Sequence, residues 1–162
     1  MAKSVEFRPL DRIDRRILAS LQEDGRQSFT DLASHVGLTT TPCIERVRRL
    51  EREGYIRGYQ ASLDPELLGF NLLVFVEISL SHQSADAFEQ FTGAVKRLPY
   101  ILECHLVSGD ADFLLKARLN DMSQYRALLG EMLLQLPGVK NSKSYIVMET
   151  AKESQSVAIA VD

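Results

Sequence analysis

The sequence predicts an α+β protein of two domains, a helical one in residues 1–60 and one of mixed strands and helices in residues 72–150. Apolar residues recur at spacings of three and four in the first part, which is typical of amphipathic helices. Residues 72–80 instead show the period of two that a strand requires. Residues 61–71 contain Pro65 and Gly69 and follow neither period, so we interpret them as a linker. Residues 151–162 are left as a C-terminal tail.

Two short helices are predicted first, over residues 14–24 and 28–36, each with one apolar stripe. Their stripes are formed by Ile13, Ile17, Leu18 and Leu21, and by Phe29, Leu32, Ala33 and Val36. Gly37 follows where a tight turn needs a residue without Cβ, and Leu38 can fill the core behind it. This order indicates a helix-turn-helix with a third helix to come.

The third helix is expected to begin at about Pro42, because a threonine before proline suits the N-cap and first helical positions. Cys43, Val47 and Leu50 form its apolar stripe, which directs the arginines toward water or phosphate. Gly54 ends the helix, and residues 55–59 alternate with aromatics as a short wing strand would. The domain is thus predicted to be a winged helix-turn-helix that binds DNA. The alternative is a solvated helix face with pairs such as Glu45 and Arg49.

The second domain is predicted to run strand, helix, strand, strand, helix, strand, at residues 72–80, 85–98, 101–108, 113–119, 122–136 and 141–149. This order is that of a ferredoxin-like βαββαβ domain, whose helices cover one face of an antiparallel sheet. The other face is expected to expose Leu73, Phe75, Ile101, Val107, Tyr145 and Val147 unless a second copy covers it. A dimer also places two recognition helices in successive major grooves of a pseudo-palindromic operator, about 34 Å apart.

Charge and composition agree with a DNA-binding chain. The 162 residues carry a net charge of −3, but residues 1–60 hold eleven Lys and Arg against nine acids, and the rest holds eight against thirteen. Ten of the eleven cations are arginines, which suit phosphate and guanine. No apolar run is long enough for a membrane span, so we expect a cytoplasmic protein without a membrane partner.

The sequence gives no pattern for catalysis or for a metal. Cys43 and Cys104 are expected to be reduced and buried in separate domains. Cys104 and His105 are adjacent in a strand and point to opposite faces, while the histidines lack metal-site spacing. We therefore expect no enzyme, no metal and no cofactor.

The second domain also offers a site for a free amino acid. A zwitterion needs acceptors for its ammonium group, N–H donors for its carboxylate and a matching pocket. The hairpin loop at residues 109–112 can supply the polar groups, and an apolar wall is expected from Leu106, Met122, Leu134, Tyr145 and Val147. The alternative is a plain hairpin turn with core residues behind it.

Three segments together resemble one family: LDRIDRRIL at 10–18, GLTTTPCIERVRRLEREGYI at 37–56 and HLVSGDADFLLK at 105–116. They are similar to the Lrp/AsnC (feast/famine) family of bacterial transcription regulators, across nearly the whole chain. The resemblance implies a RAM-type (ACT-like) second domain, dimers that assemble into octamers or hexadecamers, and nucleoid association. It also implies an amino-acid effector, leucine first, that binds near Gly109, Asp110 and Asp112 at contacts between dimers.

The predicted function is a sequence-specific regulator of amino-acid metabolism genes. Arg46 and Arg49 are the expected base and phosphate contacts, and the residues expected to help are Thr39, Thr40, Thr41, Arg12, Arg48 and Arg52. Two alternatives stay open. One is an architectural protein that wraps DNA without effector control, and the other is an amino-acid sensor that acts through protein partners.

Overall fold

The computed structural model describes residues 9–161, except the side chains of residues 131–134. The chain divides into two compact units. The first combines the chain up to Ser62 with the segment that begins at Glu153, and the second is Leu63–Lys152. Residues 63–71 of the predicted linker thus group with the second unit, and the part of the predicted tail from Glu153 onward groups with the first.

Over its described residues, the first unit contains three helices, α1 (Arg12–Glu23), α2 (Phe29–Val36) and α3 (Thr40–Arg52). Their apolar stripes meet in one core, in which Ile17, Leu32, Cys43, Val47 and Leu50 are buried. Gly37 ends α2 with a φ of 76°, a left-handed conformation that favours glycine. The helix-turn-helix is therefore confirmed, with α3 as its second helix.

The start of α3 differs from the prediction. Thr39 is the N-cap, and Pro42 is the third residue of the helix rather than the first. The first N–H groups of a helix have no intrahelical acceptor, so proline loses no hydrogen bond at this position. Proline thus marks the first turn of a helix but does not fix its first residue.

The predicted wing strand is wrong, because no strand forms between Glu53 and Asn71, all of which the structure describes. The chain turns back onto α3 instead. Gly54 has a φ of 79°, and the Ile56 N–H donates to the Leu50 carbonyl at 3.2 Å. The Tyr59 hydroxyl donates to Glu51 at 3.1 Å, and burial together with this bond raises the pKa of Tyr59 to about 12. Alternation alone cannot make a strand that lacks a hydrogen-bonded partner.

The C-terminal segment contacts α1. Gln22 accepts a hydrogen bond from the Val157 N–H at 2.8 Å and donates one to the Val157 carbonyl at 3.0 Å. Arg15 donates to the Ala160 carbonyl at 3.4 Å. These bonds attach the end of the chain to the first helix of the same unit.

The second unit has the predicted order: β1 (Leu72–Leu80), α4 (Ala85–Val95), β2 (Ile101–Leu106), β3 (Phe113–Leu119), α5 (Met122–Gln135) and β4 (Val139–Ile146). The four strands form an antiparallel sheet in the order β2-β3-β1-β4. Val76 and Leu115 from one sheet face pack with Phe91 of α4 and Leu128 of α5. The predicted mixed α+β architecture is confirmed.

The other sheet face, which we call the open face, is less apolar than expected. Ile101 was predicted there, but it pairs with Ala117 and packs against the core, because a register irregularity between Ile101 and Glu103 reverses its side. Val107 and Val147 lie beyond the ends of β2 and β4. The open face carries Phe75, Leu114 and Tyr145 among the charged residues Glu77, Glu103, Lys116, Arg118 and Lys143. Leu73 lies on the same side of β1, but the prediction that it is exposed is wrong, because it is buried within the chain.

Candidate nucleic-acid interface and effector site

Two of the four α3 arginines point toward α1. Arg46 Nη1 lies 2.6 Å from Asp11 Oδ2 and 2.8 Å from Asp14 Oδ1, and Arg49 Nη2 lies 2.5 Å from Asp14 Oδ2. Asp14 is completely buried. A buried carboxylate requires opposite charges and donors, and these two arginines provide them. The expectation that Arg46 and Arg49 face water is therefore wrong.

The ion pairs are combined with a helix cap. The Asp14 N–H donates to the Asp11 carboxylate at 2.8 Å, and the Asp11 N–H donates to the Asp14 carboxylate at 3.2 Å, which forms a capping box at the start of α1. Partial burial raises the pKa of Asp11, but the bonds from Asp14 and Arg46 outweigh it and leave this pKa below its usual value. The hydrogen bonds that Arg46 makes with Asp11 and Asp14 raise the pKa of Arg46, and the bond to Asp11 contributes most. The acids of α1 thus fix α3 in place.

The side of α3 that faces away from this cluster is exposed. We call it the outer face of α3, and it consists of Thr41, Glu45, Arg48 and Arg52 at helical spacings of four, three and four. Within the part of the chain that the structure describes, the side chains of Glu45, Arg48 and Arg52 have no hydrogen bond or ion pair. Thr39 and Arg12 are exposed as well, and Thr40 is half-buried.

Glu45 was not predicted as a surface residue of interest. It entered only in the alternative of a solvated helix face, as a pair with Arg49, but Arg49 contacts Asp14 instead. The spacing of Glu45 from Thr41 and Arg48 is the signal that could have identified it. In a helix-turn-helix, the second helix of the motif enters the major groove with its N-terminal residues near the base edges. The outer face of α3 has the position, the hydrogen-bonding groups and the cations for this contact.

The loop that was predicted to hold an effector is built around Asp112. Its side chain is only 7 % exposed. One carboxylate oxygen accepts from the Leu80 N–H at 2.7 Å, and the other accepts from Gln83 Nε2 at 2.7 Å. The Asp112 N–H donates to the Ile78 carbonyl at 2.9 Å. Asp112 therefore fastens the loop to the end of β1, while Gly109 and Asp110 remain exposed.

The predicted apolar wall is not assembled within one chain. Leu106 is 61 % exposed on β2 and Tyr145 is 42 % exposed on β4, and these two strands are the opposite edges of the sheet. Met122 is exposed at the start of α5, and Val147 is half-buried. Leu134 lies among the residues whose side chains are not described. The expected single wall along the loop is therefore wrong for Leu106 and Tyr145.

The open face contains two polar clusters. Glu103 contacts His105 Nε2 at 3.1 Å and Lys116 Nζ at 3.3 Å, and the hydrogen bond from His105, with help from Lys116, lowers the pKa of Glu103. The Tyr145 hydroxyl donates to Glu77 at 3.1 Å, and Lys143 lies 5.0 Å from the centre of the Tyr145 ring. On this face Glu103 and Lys116 thus form an ion pair, whereas Glu77 and Lys143 both contact Tyr145.

Cys43 is buried, whereas Cys104, which was expected to be buried, is half-buried. Cys104 pairs with Leu115 and His105 with Leu114, so they occupy opposite faces of the sheet. Burial raises the pKa of Cys43 and of Cys104, which keeps both thiols protonated. Among the described residues, no cluster of His, Cys, Asp and Glu suits a metal ion, and no helix has the length and hydropathy of a membrane span.

Comparisons with known proteins agree for both units. Residues 10–51 match the AsnC-type helix-turn-helix domain, and residues 73–157 match the Lrp/AsnC ligand binding domain. The chain is 59 % identical over 150 residues to the leucine-responsive regulatory protein of Salmonella typhimurium, which covers 93 % of this chain and 92 % of the relative.

Solved structures show the same fold. An AsnC family transcriptional regulator from Agrobacterium tumefaciens is 35 % identical with a TM-score of 0.87, covering 92 % of this chain and 97 % of the other. A transcriptional regulator from Neisseria meningitidis, solved as a complex with L-Met, is 34 % identical with a TM-score of 0.87, covering 93 % and 97 %. These relatives are transcriptional regulators.

Proposed function

Because the chain belongs to the Lrp/AsnC family of transcription regulators, we propose that it binds operator DNA through the outer face of α3 under the control of an amino acid. The effector is a small aliphatic or thioether amino acid, leucine first, and the target genes are those of amino-acid metabolism. We place the protein at the nucleoid in the cytoplasm. The observation that carries this proposal is the division of α3 into an inner pair of arginines and an exposed outer face.

The outer arginines are assigned to DNA. Arg48 and Arg52 are exposed and without an internal partner among the described residues, so their guanidinium groups are available to phosphate and guanine. Thr39 and Thr41 lie at the N-terminus of α3, where hydroxyls and backbone N–H groups suit a phosphate. Arg12, exposed at the start of α1, is assigned a phosphate contact as well.

Arg46 and Arg49 support the interface from behind. Their ion pairs with Asp14 fix the rotation of α3 about its axis, and this rotation decides which side chains reach the groove. Thr40 is half-buried at the first helical position and contributes its backbone rather than its side chain. The residues first expected to contact bases therefore orient those that do.

Self-association follows from the open face. Its accessible apolar residues include Phe75, Leu114 and Tyr145. Glu103 is paired with Lys116, and Glu77 accepts a hydrogen bond from Tyr145, so a second copy that covers the face meets these two carboxylates with partners already in place. A two-fold dimer then presents two α3 helices to a pseudo-palindromic operator, and further association gives octamers or hexadecamers.

The effector is proposed to bind at the loop of residues 109–112. Gly109 and Asp110 are exposed, so the Asp110 carboxylate is available to an ammonium group, and the loop N–H groups to a carboxylate. Asp112 holds the loop in shape. Leu106 and Tyr145 lie on opposite edges of the sheet, so the apolar wall is completed by residues of more than one chain. The regulator from Neisseria meningitidis, solved with L-Met, supports a ligand of this class.

The test is fluorescence anisotropy of the full chain on a labelled duplex from upstream of its own gene, over a salt series, with and without each amino acid. We expect steep salt dependence and a response to one amino acid. The double variant Arg48→Ala/Arg52→Ala should weaken binding and reduce the salt slope by about one for each lost phosphate contact. Arg126→Ala, an exposed arginine of α5, is the matched control.

Each contrary result has a distinct meaning. Equal losses in the double variant and in the Arg126 control would remove the outer face of α3 from the interface. Tight binding that ignores every amino acid would favour the architectural protein. No binding even at low salt would reject DNA as the partner.

A further inference from the structure

Glu45 is the acidic member of the outer face of α3. It lies in the second turn of the helix, one turn after Thr41 and one turn before Arg48. Its side chain is exposed, and within the described residues it has no hydrogen bond or ion pair. The Arg49 that stands four residues later contacts Asp14 at 2.5 Å, which leaves the Glu45 carboxylate available.

A carboxylate at this position is unfavourable near DNA unless it has a donor. Its negative charge and the phosphate charges of DNA repel each other, more strongly near a protein surface than in bulk water. The major groove offers such donors as the exocyclic amino groups of cytosine and adenine. Adenine places its N7 acceptor beside its amino group, which repels a carboxylate. Cytosine places a C–H beside its N4 amino group, so it is the better partner.

The position on the helix agrees with base contact. The N-terminal residues of a recognition helix face the base edges, whereas its later residues diverge toward the backbone. Glu45 stands in the N-terminal half of α3, while Arg52 is its last residue. The acid is therefore closer to the base edges and the outermost arginine closer to the phosphates.

We propose that Glu45 is a specificity-determining residue that accepts a hydrogen bond from the N4 amino group of one cytosine in each half-site. This inference rests on the proposed DNA-binding role of α3 and adds the identity of a base that it reads. In a two-fold dimer the same cytosine is read once by each copy, in symmetry-related positions.

The experiment begins with the wild-type full chain, which selects its half-site from a randomised duplex pool. Anisotropy then gives affinities for a panel of duplexes in which each base pair of the half-site is changed singly. Duplexes with N4-methylcytosine test the amino group directly. We expect wild type to lose about tenfold or more in affinity at one cytosine when it is replaced or methylated.

Two substitutions assign that cytosine to Glu45. Glu45→Ala should bind the original, substituted and methylated duplexes within about twofold of one another at that position, while its preferences elsewhere stay unchanged. Glu45→Gln should shift the preference at the same position toward adenine, because glutamine makes a bidentate contact with adenine N6 and N7. Glu23→Ala, an exposed acid of α1, gives the same charge change as a control.

Three results would overturn the inference. If Glu45→Ala binds every duplex more tightly by one common factor, the carboxylate only repels phosphate. If both Glu45 variants keep the wild-type base preferences, another residue reads the cytosine. If the wild-type chain enriches no sequence from the pool, the DNA-binding role fails, and the inference fails with it.

Discussion

Replacing Asp14 by alanine tests whether α1 and α3 are held together by ion pairs. Asp14 is completely buried and contacts Arg46 at 2.8 Å and Arg49 at 2.5 Å. Its carboxylate also accepts the Asp11 N–H, which closes the capping box of α1. The substitution therefore removes the shared counter-charge of two arginines and one half of a helix cap.

The expected loss of stability is about 3 kcal/mol. Removal of one partner from a buried ion pair costs roughly 3–5 kcal/mol, because the other charge remains without compensation. The side chains of Arg46 and Arg49 are 29 % and 16 % exposed, so water partly solvates their charges. The cost of the substitution is therefore expected at the lower end of this range. The loss of the cap adds a contribution of similar sign. The first unit is small, so its free energy of unfolding is expected near the lower end of the usual range of about 5–15 kcal/mol. The expected loss is a large fraction of that free energy.

The assay is hydrogen exchange of the amides of α1, α2 and α3 in the full chain. It gives the opening free energies of these helices separately from those of the second unit. Asp14→Ala should lower these energies by about 3 kcal/mol. Glu23→Ala is the control, since this exposed acid at the end of α1 has no side-chain partner among the described residues and should change them by less than about 1 kcal/mol. A change below about 1 kcal/mol for Asp14→Ala would refute the ion-pair argument.

Tighter DNA binding by a folded Asp14→Asn variant would show that Asp14 withholds these arginines from phosphate.

Three further predictions concern the stability of the fold at acidic pH, the C-terminal segment and the effector loop. The pKa of Asp11 is lower in the folded protein than in the unfolded chain, so its stabilisation is complete above the unfolded value of about 3.9 and is lost as the pH falls through the folded pKa. Asp11→Asn should therefore flatten the acid limb of a plot of melting temperature against pH. Gln22→Ala should speed proteolysis of the C-terminal segment but lower stability by less than about 1 kcal/mol, because its two bonds to Val157 are exposed. Asp112→Ala should lower the unfolding free energy by about 1–3 kcal/mol and abolish the amino-acid response, whereas Asp110→Ala should abolish the response, measured by anisotropy, without that loss.

The helices and strands were predictable wherever one face of an element is buried. The apolar stripe of α3 and the alternation of β1 both gave the right element, because burial imposes the period of the backbone on the sequence. Boundaries were less predictable, as the early start of α3 shows. The prediction of a wing strand was wrong for a different reason. A strand depends on a partner that local alternation does not reveal, and residues 55–59 find their contacts on α3 and its core instead.

The site was less predictable than the fold. A helical wheel shows that Arg46 and Arg49 lie beside the apolar stripe, but it does not show what lies opposite, which is the buried Asp14 of α1. Asp14 looked like an ordinary acid in the first turn of a helix. Ile101 was placed on the wrong sheet face because one register irregularity reverses every alternation argument beyond it. Such facts depend on contacts between elements far apart in the sequence.

Under the proposed function, the arrangement of the second unit would connect ligand binding to assembly. The Asp112 carboxylate accepts hydrogen bonds from the Leu80 N–H and from Gln83. These bonds fix the conformation of the loop in the absence of a ligand. Leu106 and Tyr145, two of the apolar residues expected to surround the side chain of the ligand, lie on opposite sheet edges and are exposed. A pocket completed by more than one chain binds ligand only in the assembly that completes it. By linkage, that ligand must then favour this assembly over others. An amino acid can therefore change which α3 helices are paired on DNA without any change in the helix-turn-helix itself.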